Sequence, residues 1–192
     1  MLILIISRLS TLTWLFPPFR QYRTKYFLFF LILALIEPSM MLSIDIFHIG
    51  FPILAPIYSL LVIFSLVKRN LKSTVSIFFS IVLFIFFSRY LTEYQLRLIL
   101  VIFHVIILVL LVYDFMMIIE SKKVLNLFLI LLIAYEISVL YKFMARIFDI
   151  QHGIVIFYLS TFIQLFFGVL FTIFNVNTKN IPLFRKTEMS DE

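Results

Sequence analysis

Apolar runs long enough to cross a membrane alternate with short charged breaks along almost the whole chain. A bilayer core about 30 Å thick is crossed by roughly 20 apolar residues in helical conformation. Six runs approach that length: Phe27–Phe47, Phe51–Val67, Thr74–Tyr90, Arg97–Ile119, Val124–Arg146 and Gly153–Phe174. The breaks between them are short. "HIGFP" (His48–Pro52) is a tight turn, and "VKRNLKS" (Val67–Ser73) and "ESKK" (Glu120–Lys123) are charged loops. "SRYLTEYQLR" (Ser88–Arg97) and "RIFDIQHG" (Arg146–Gly153) complete the set. Connections this short place consecutive helices antiparallel and side by side. The pattern predicts an all-α membrane protein, a six-helix transmembrane bundle over residues 27–175.

The flanks read differently. Residues 1–26 begin with "MLILIIS", too short to span, and the apolar character ends at Pro17–Pro18. A signal peptide places its positive charge before the apolar core and small residues at a cleavage site, and neither is present. The segment is expected to be interfacial and amphipathic, with Trp14 at the headgroup level. A seventh span through Arg8 is the alternative. Residues 176–192 end in "FRKTEMSDE" and are expected to form a disordered cytoplasmic tail.

Composition agrees with the pattern. The 192 residues are 64% hydrophobic and 14% charged, and the mean hydropathy is +1.15. Soluble domains carry roughly 45–50% apolar and about 25% charged residues. The absence of Cys removes disulfides, thiolate metal sites and cysteine nucleophiles together. Only 3 Gly stand against 25 Phe, so the helices are expected to pack through large side chains rather than Gly-lined contacts.

The formal charge of +6 is topogenic in this context, and nucleic-acid binding has no support. With the first span entering from the cytoplasm, 12 of the 16 Lys and Arg residues fall on the cytoplasmic side. The other four, Arg89, Arg97, Lys142 and Arg146, fall outside, where they are expected to be interface anchors. This positive-inside bias predicts cytoplasmic N- and C-termini. The expected location is the inner (plasma) membrane of a bacterium, with the lipid bilayer and other membrane subunits as partners.

Ionisable groups at membrane depth are costly and mark functional candidates. At 1.5 Å per residue, Glu37 lies about 15 Å into the first span, near the midplane. Glu136 and Gln164 fall at a similar depth, and His104 about one turn further out. Pro38 breaks a helical hydrogen bond beside Glu37 and frees the carbonyl of Ala34. On the fifth span Tyr135, Glu136, Ser138, Val139, Lys142 and Arg146 share one half of the helical wheel. Ile130, Ile133, Ile137, Leu140 and Met144 take the other, which faces lipid. Glu37, His104, Glu136 and Gln164 form a candidate polar site if their helices face one another. Each alone also reads as an ordinary packing residue, the carboxyls protonated and bonded across a helix interface. Asp114 is expected to anchor near the inner face, and Asp149 and His152 at the outer one.

His48, His104 and His152 make no metal-ligand spacing, and no GxSxG, Walker or GxGxxG motif exists. No cofactor, metal or catalytic residue is indicated. The leading functional expectation is therefore a non-catalytic accessory, structural or sensory membrane subunit. A transporter or ion-coupled protein with a midplane polar site is the alternative. An intramembrane lipid-acting enzyme using a carboxyl and His104 is the weaker third.

Overall fold

The computed structural model describes residues 2–48, 50–67, 71–148, 153–177 and 180–182. Among these the chain is helical: α1 (Leu2–Trp14), α2 (Pro17–Arg20), α3 (Phe27–Phe47), α4 (Phe51–Leu66), α5 (Leu71–Ser88), α6 (Glu93–Lys122), α7 (Leu127–Ile147) and α8 (Gly153–Ile173). The exception is a short antiparallel pairing of β1 (Val124–Asn126) with β2 (Asn180–Pro182). The expected tail beyond residue 182 lies outside the described residues, as do Asp149 and His152.

Three helices are long and apolar enough to cross a membrane: Phe27–Ile46, Glu93–Lys122 and Leu127–Ile147. Shorter apolar stretches occupy Phe51–Leu66, Phe78–Ser88 and Leu159–Ile173.

Local chemistry sets the helix ends. Thr92 and Gln95 form a reciprocal capping box at the start of α6, satisfying two orphan donors of the first turn. Pro17 and Pro52 occupy first-turn positions of α2 and α4, where the missing N–H costs nothing. His48 (φ 52°) and Lys123 (φ 53°) end α3 and α6 in the left-handed region. Asn126 caps α7 by accepting from the Leu129 N–H at 3.1 Å and donates Nδ2–H to the Val176 carbonyl at 2.7 Å. One side chain thus fastens the start of α7 to the segment after α8.

The helices close into a ring. Proceeding around it, α3 packs on α4, α4 on α6, α6 on α7, α7 on α8, α8 on α1, and α1 returns to α3. Outside the ring, α5 leans on α4 and reaches α6 through Phe84 and Phe103, with ring centroids 6.3 Å apart. Its exposed Phe78, Phe79, Phe86 and Phe87 give it a broad apolar outer face.

α1 closes the ring between α8 and α3. Arg8 Nη1 donates to Met41 Sδ, Thr11 to Glu37, and Trp14 stacks on Phe30 at 6.4 Å. As numbers rise along α1 they fall along α3, so the two run antiparallel. Trp14, expected at the headgroup level, is 7% exposed and lies among Phe30, Tyr135 and Phe171. Gly168 makes the approach of α1 to α8 possible. A Cβ there would stand 3.0 Å from Thr13 Cγ2 and 3.3 Å from the Trp14 indole nitrogen.

The core beside Trp14 is aromatic. Tyr26, Phe29, Phe30, Phe128, Tyr135, Phe167 and Phe171 bury their rings against one another with centroids near 5–6 Å. Such pairs contribute about 0.5–1.5 kcal/mol each beyond area burial. At the same end, Tyr26 donates to Asp114 at 3.1 Å, and Lys25 pairs with the same carboxylate at 2.9 Å. Below it, the buried Gln21 donates to the Phe174 carbonyl at 2.8 Å and Arg20 to the Ile173 carbonyl at 3.3 Å. These bonds satisfy carbonyls that the end of α8 would otherwise leave unpaired.

Candidate functional site

A cavity of about 470 Å³ lies at the centre of the ring. All six ring helices line it, with Thr11 and Trp14 from α1, Glu37 from α3, Ser59 from α4, His104 from α6, Glu136 from α7 and Gln164 from α8 among the lining residues. One end is sealed by buried Trp14, Phe29, Val62, Ile107 and Tyr135. At the other end Ile44, Phe51 and Arg146 line it and are exposed, so this end is the mouth.

Helical spacing explains the polar wall. Tyr135, Glu136 and Val139 of α7 are buried, whereas Ile130, Ile137 and Tyr141 face out. Glu136 is 2% exposed. Its Oε1 lies 2.6 Å from His104 Nδ1. On the other side of the ring, His104 Nε2 lies 3.3 Å from Ser59 Oγ. Nδ1 faces the carboxylate and Nε2 faces Ser59 Oγ, whose own proton goes to the Ala55 carbonyl at 3.0 Å. Phe143 covers the imidazole, with centroids 4.9 Å apart.

Glu37 occupies a separate part of the same wall and accepts from Thr11. Pro38 leaves the helix short of one donor, and the freed carbonyl belongs to Ala34, which also lines the cavity. Nearby Tyr58 donates to Ser39 at 2.5 Å.

The four residues singled out from the sequence, Glu37, His104, Glu136 and Gln164, therefore line one cavity. His104 and Glu136 touch directly. Gln164 accepts from the Trp14 indole through its backbone carbonyl at 3.1 Å. Of the four expected outer anchors, Lys142 and Arg146 line the cavity. Arg146 also stands over the Phe51 ring at 5.6 Å. Arg97 pairs with Glu93 and donates to the Arg146 carbonyl at 3.4 Å, and Arg89 is exposed. Asp114, expected near the inner face, holds Tyr26 and Lys25 away from the cavity. Sequence reasoning missed Ser59, Thr11 and Tyr58. Hydroxyls are common in apolar helices, where they bond to their own backbone, so nothing in the linear pattern separates them from other Ser, Thr and Tyr residues.

Among the described residues no three His, Asp or Glu side chains gather as a metal site would require. The fold defines a helical protein with three apolar helices of membrane-crossing length among the described residues and an internal cavity whose largely apolar wall carries a few polar groups. Comparison with known protein families, curated proteins and solved structures finds no match.

Proposed function

We propose that this is a multi-pass integral membrane protein that binds a small amphiphilic molecule in its central cavity and exchanges a proton with it through His104 and Glu136. The observation carrying this reading is convergence. Glu37, His104, Glu136 and Gln164, from four helices, line one cavity of about 470 Å³. Small-molecule sites occupy roughly 300–1,000 Å³ and combine apolar walls with a few placed polar groups. A purely structural bundle has no need to keep these groups around an open volume.

In the proposed topology α3 to α8 cross the bilayer six times, and the basic loops face the cytoplasm. The mouth then opens to the outer side, where Lys142 and Arg146 supply positive charge. α1 descends beside α3 from the mouth side, and the chain reaches the inner face at Pro17–Arg20. This topology takes the seventh-span alternative for residues 1–26, which puts the first residues on the mouth side instead of the cytoplasmic side expected for the N-terminus. Ion-coupled transport is the function class that fits a proton-exchanging pair near the midplane.

Trp14 is the single tryptophan and lines the cavity, so it reports occupancy. Protein in lipid nanodiscs is titrated with decanoate, decyl phosphate and decyltrimethylammonium while Trp14 emission is followed. A saturable change is expected, and Glu136→Gln and His104→Gln are expected to weaken it. Absence of a saturable change with every probe overturns the reading.

A further inference from the structure

The sequence offers no nucleophile motif, yet the cavity wall holds three side chains in the order that nucleophilic catalysis uses. Ser59 Oγ lies 3.3 Å from His104 Nε2, and His104 Nδ1 lies 2.6 Å from Glu136 Oε1. Three helices, α4, α6 and α7, contribute one member each. All three residues line the same cavity.

We propose that Ser59 is the nucleophile of an acyl-transfer site, with His104 as its general base and Glu136 as the group that orients the imidazole. The substrate class is an amphiphile bearing an ester. This rests on the reading that the cavity takes up such a molecule, and it adds a covalent step.

The ordinary account of Ser59 is a helix serine bonded to the carbonyl four residues back. That bond exists, to Ala55 at 3.0 Å. It does not account for the histidine. Ser65, Ser80, Ser88, Ser121 and Ser138 also donate to carbonyls of their own helices. Among the described residues none of those five stands beside an imidazole nitrogen whose other nitrogen is held by a carboxylate. Ser59 does, and it is 4% exposed. Rotation about one side-chain bond moves its proton from the Ala55 carbonyl to Nε2.

Ser59 Oγ bonds to the ester carbonyl carbon as its proton passes to His104 Nε2, and Glu136 stabilises the imidazolium. The carbon–oxygen bond to the leaving alcohol breaks, and that oxygen takes the proton from Nε2. Water then attacks acyl-Ser59 with His104 again as base, releasing a carboxylic acid and restoring the hydroxyl.

The test uses the full chain in lipid nanodiscs and two alkyl fluorophosphonate probes, one with a short and one with a long chain. Labelling is located by peptide mass. The expected result is modification at Ser59, lost in Ser59→Ala and slowed at least about 100-fold in His104→Gln. Ser65→Ala should label like wild type, and thermal unfolding checks that each variant is folded. Glu136→Gln should slow labelling and alter its pH profile, which loss of packing alone would not do. Labelling that persists unchanged in folded His104→Gln overturns the assignment. So does wild-type protein that binds decanoate by Trp14 emission but never labels, a result that leaves the binding reading intact. If neither binding nor labelling occurs, both readings fall.

Discussion

Glu136 Oε1 stands 2.6 Å from His104 Nδ1, joining the middle of α7 to the middle of α6 through two nearly buried side chains. Removing one partner leaves the other without this bond in a largely buried position. Glu136→Leu or His104→Leu alone is therefore expected to cost at least about 2 kcal/mol. The double replacement removes both polar groups and should recover most of that loss. Unfolding of the three variants in mixed micelles, read as a double-mutant cycle, measures the coupling. Strictly additive losses would show that the contact contributes nothing.

Much of this pair was visible in the linear pattern. Glu136 lay on the polar half of its helical wheel, and α7 buries that half as Tyr135, Glu136 and Val139. The 27–47 run appears as α3 with the same bounds. What the pattern could not supply was the ring. Periodicity fixes which face of a helix is polar but not which helices are neighbours. The return of α1 to α3 depends on the turn at Pro17–Arg20, which read as the end of an apolar segment. Ser59 and Thr11 carry no signal until the helices that hold His104 and Glu37 are placed beside them. Gly168 was the missed clue, since an isolated glycine in a Phe-rich helix marks a close backbone approach.

Gly168 should be intolerant of size. Its Cβ position is 3.0 Å from Thr13 Cγ2, and Trp14 closes the other side. Gly168→Ala requires a small shift, and Gly168→Leu should push α1 off α8. The chain has no cysteine, so a single Thr13→Cys reports the separation cleanly. Maleimide labelling of that cysteine should be slow alone and at least about tenfold faster with Gly168→Leu. Equal rates would mean that α1 does not depend on this contact.

Asn126 joins two chain segments with one amide. It accepts from the Leu129 N–H and donates to the Val176 carbonyl. Asn126→Ala removes both bonds and should cost about 1–2 kcal/mol. Asn126→Asp keeps the cap and loses the donor, so it should fall between wild type and Ala. Thermal unfolding of the three proteins in one detergent checks the order. A drop in Asp as large as in Ala would place the whole effect on the Val176 bond.

The sidedness of the helices can be tested with the same cysteine-free background. Tyr90 follows α5 at the end proposed to face outside, and Lys122 ends α6 at the end proposed to face the cytoplasm. Both side chains are exposed. In intact cells, a membrane-impermeant maleimide should label Tyr90→Cys and spare Lys122→Cys until the membrane is opened. The reasoning is electrostatic as well as geometric, because Lys122 and Lys123 belong to the basic set that positive-inside bias retains. An inverted result would turn the cavity mouth, with Lys142 and Arg146, toward the cytoplasm. The ligand would then have to reach His104 and Glu136 from inside the cell. Labelling of both positions in intact cells would mean that α6 does not cross the bilayer, and the six-crossing topology would fail with it.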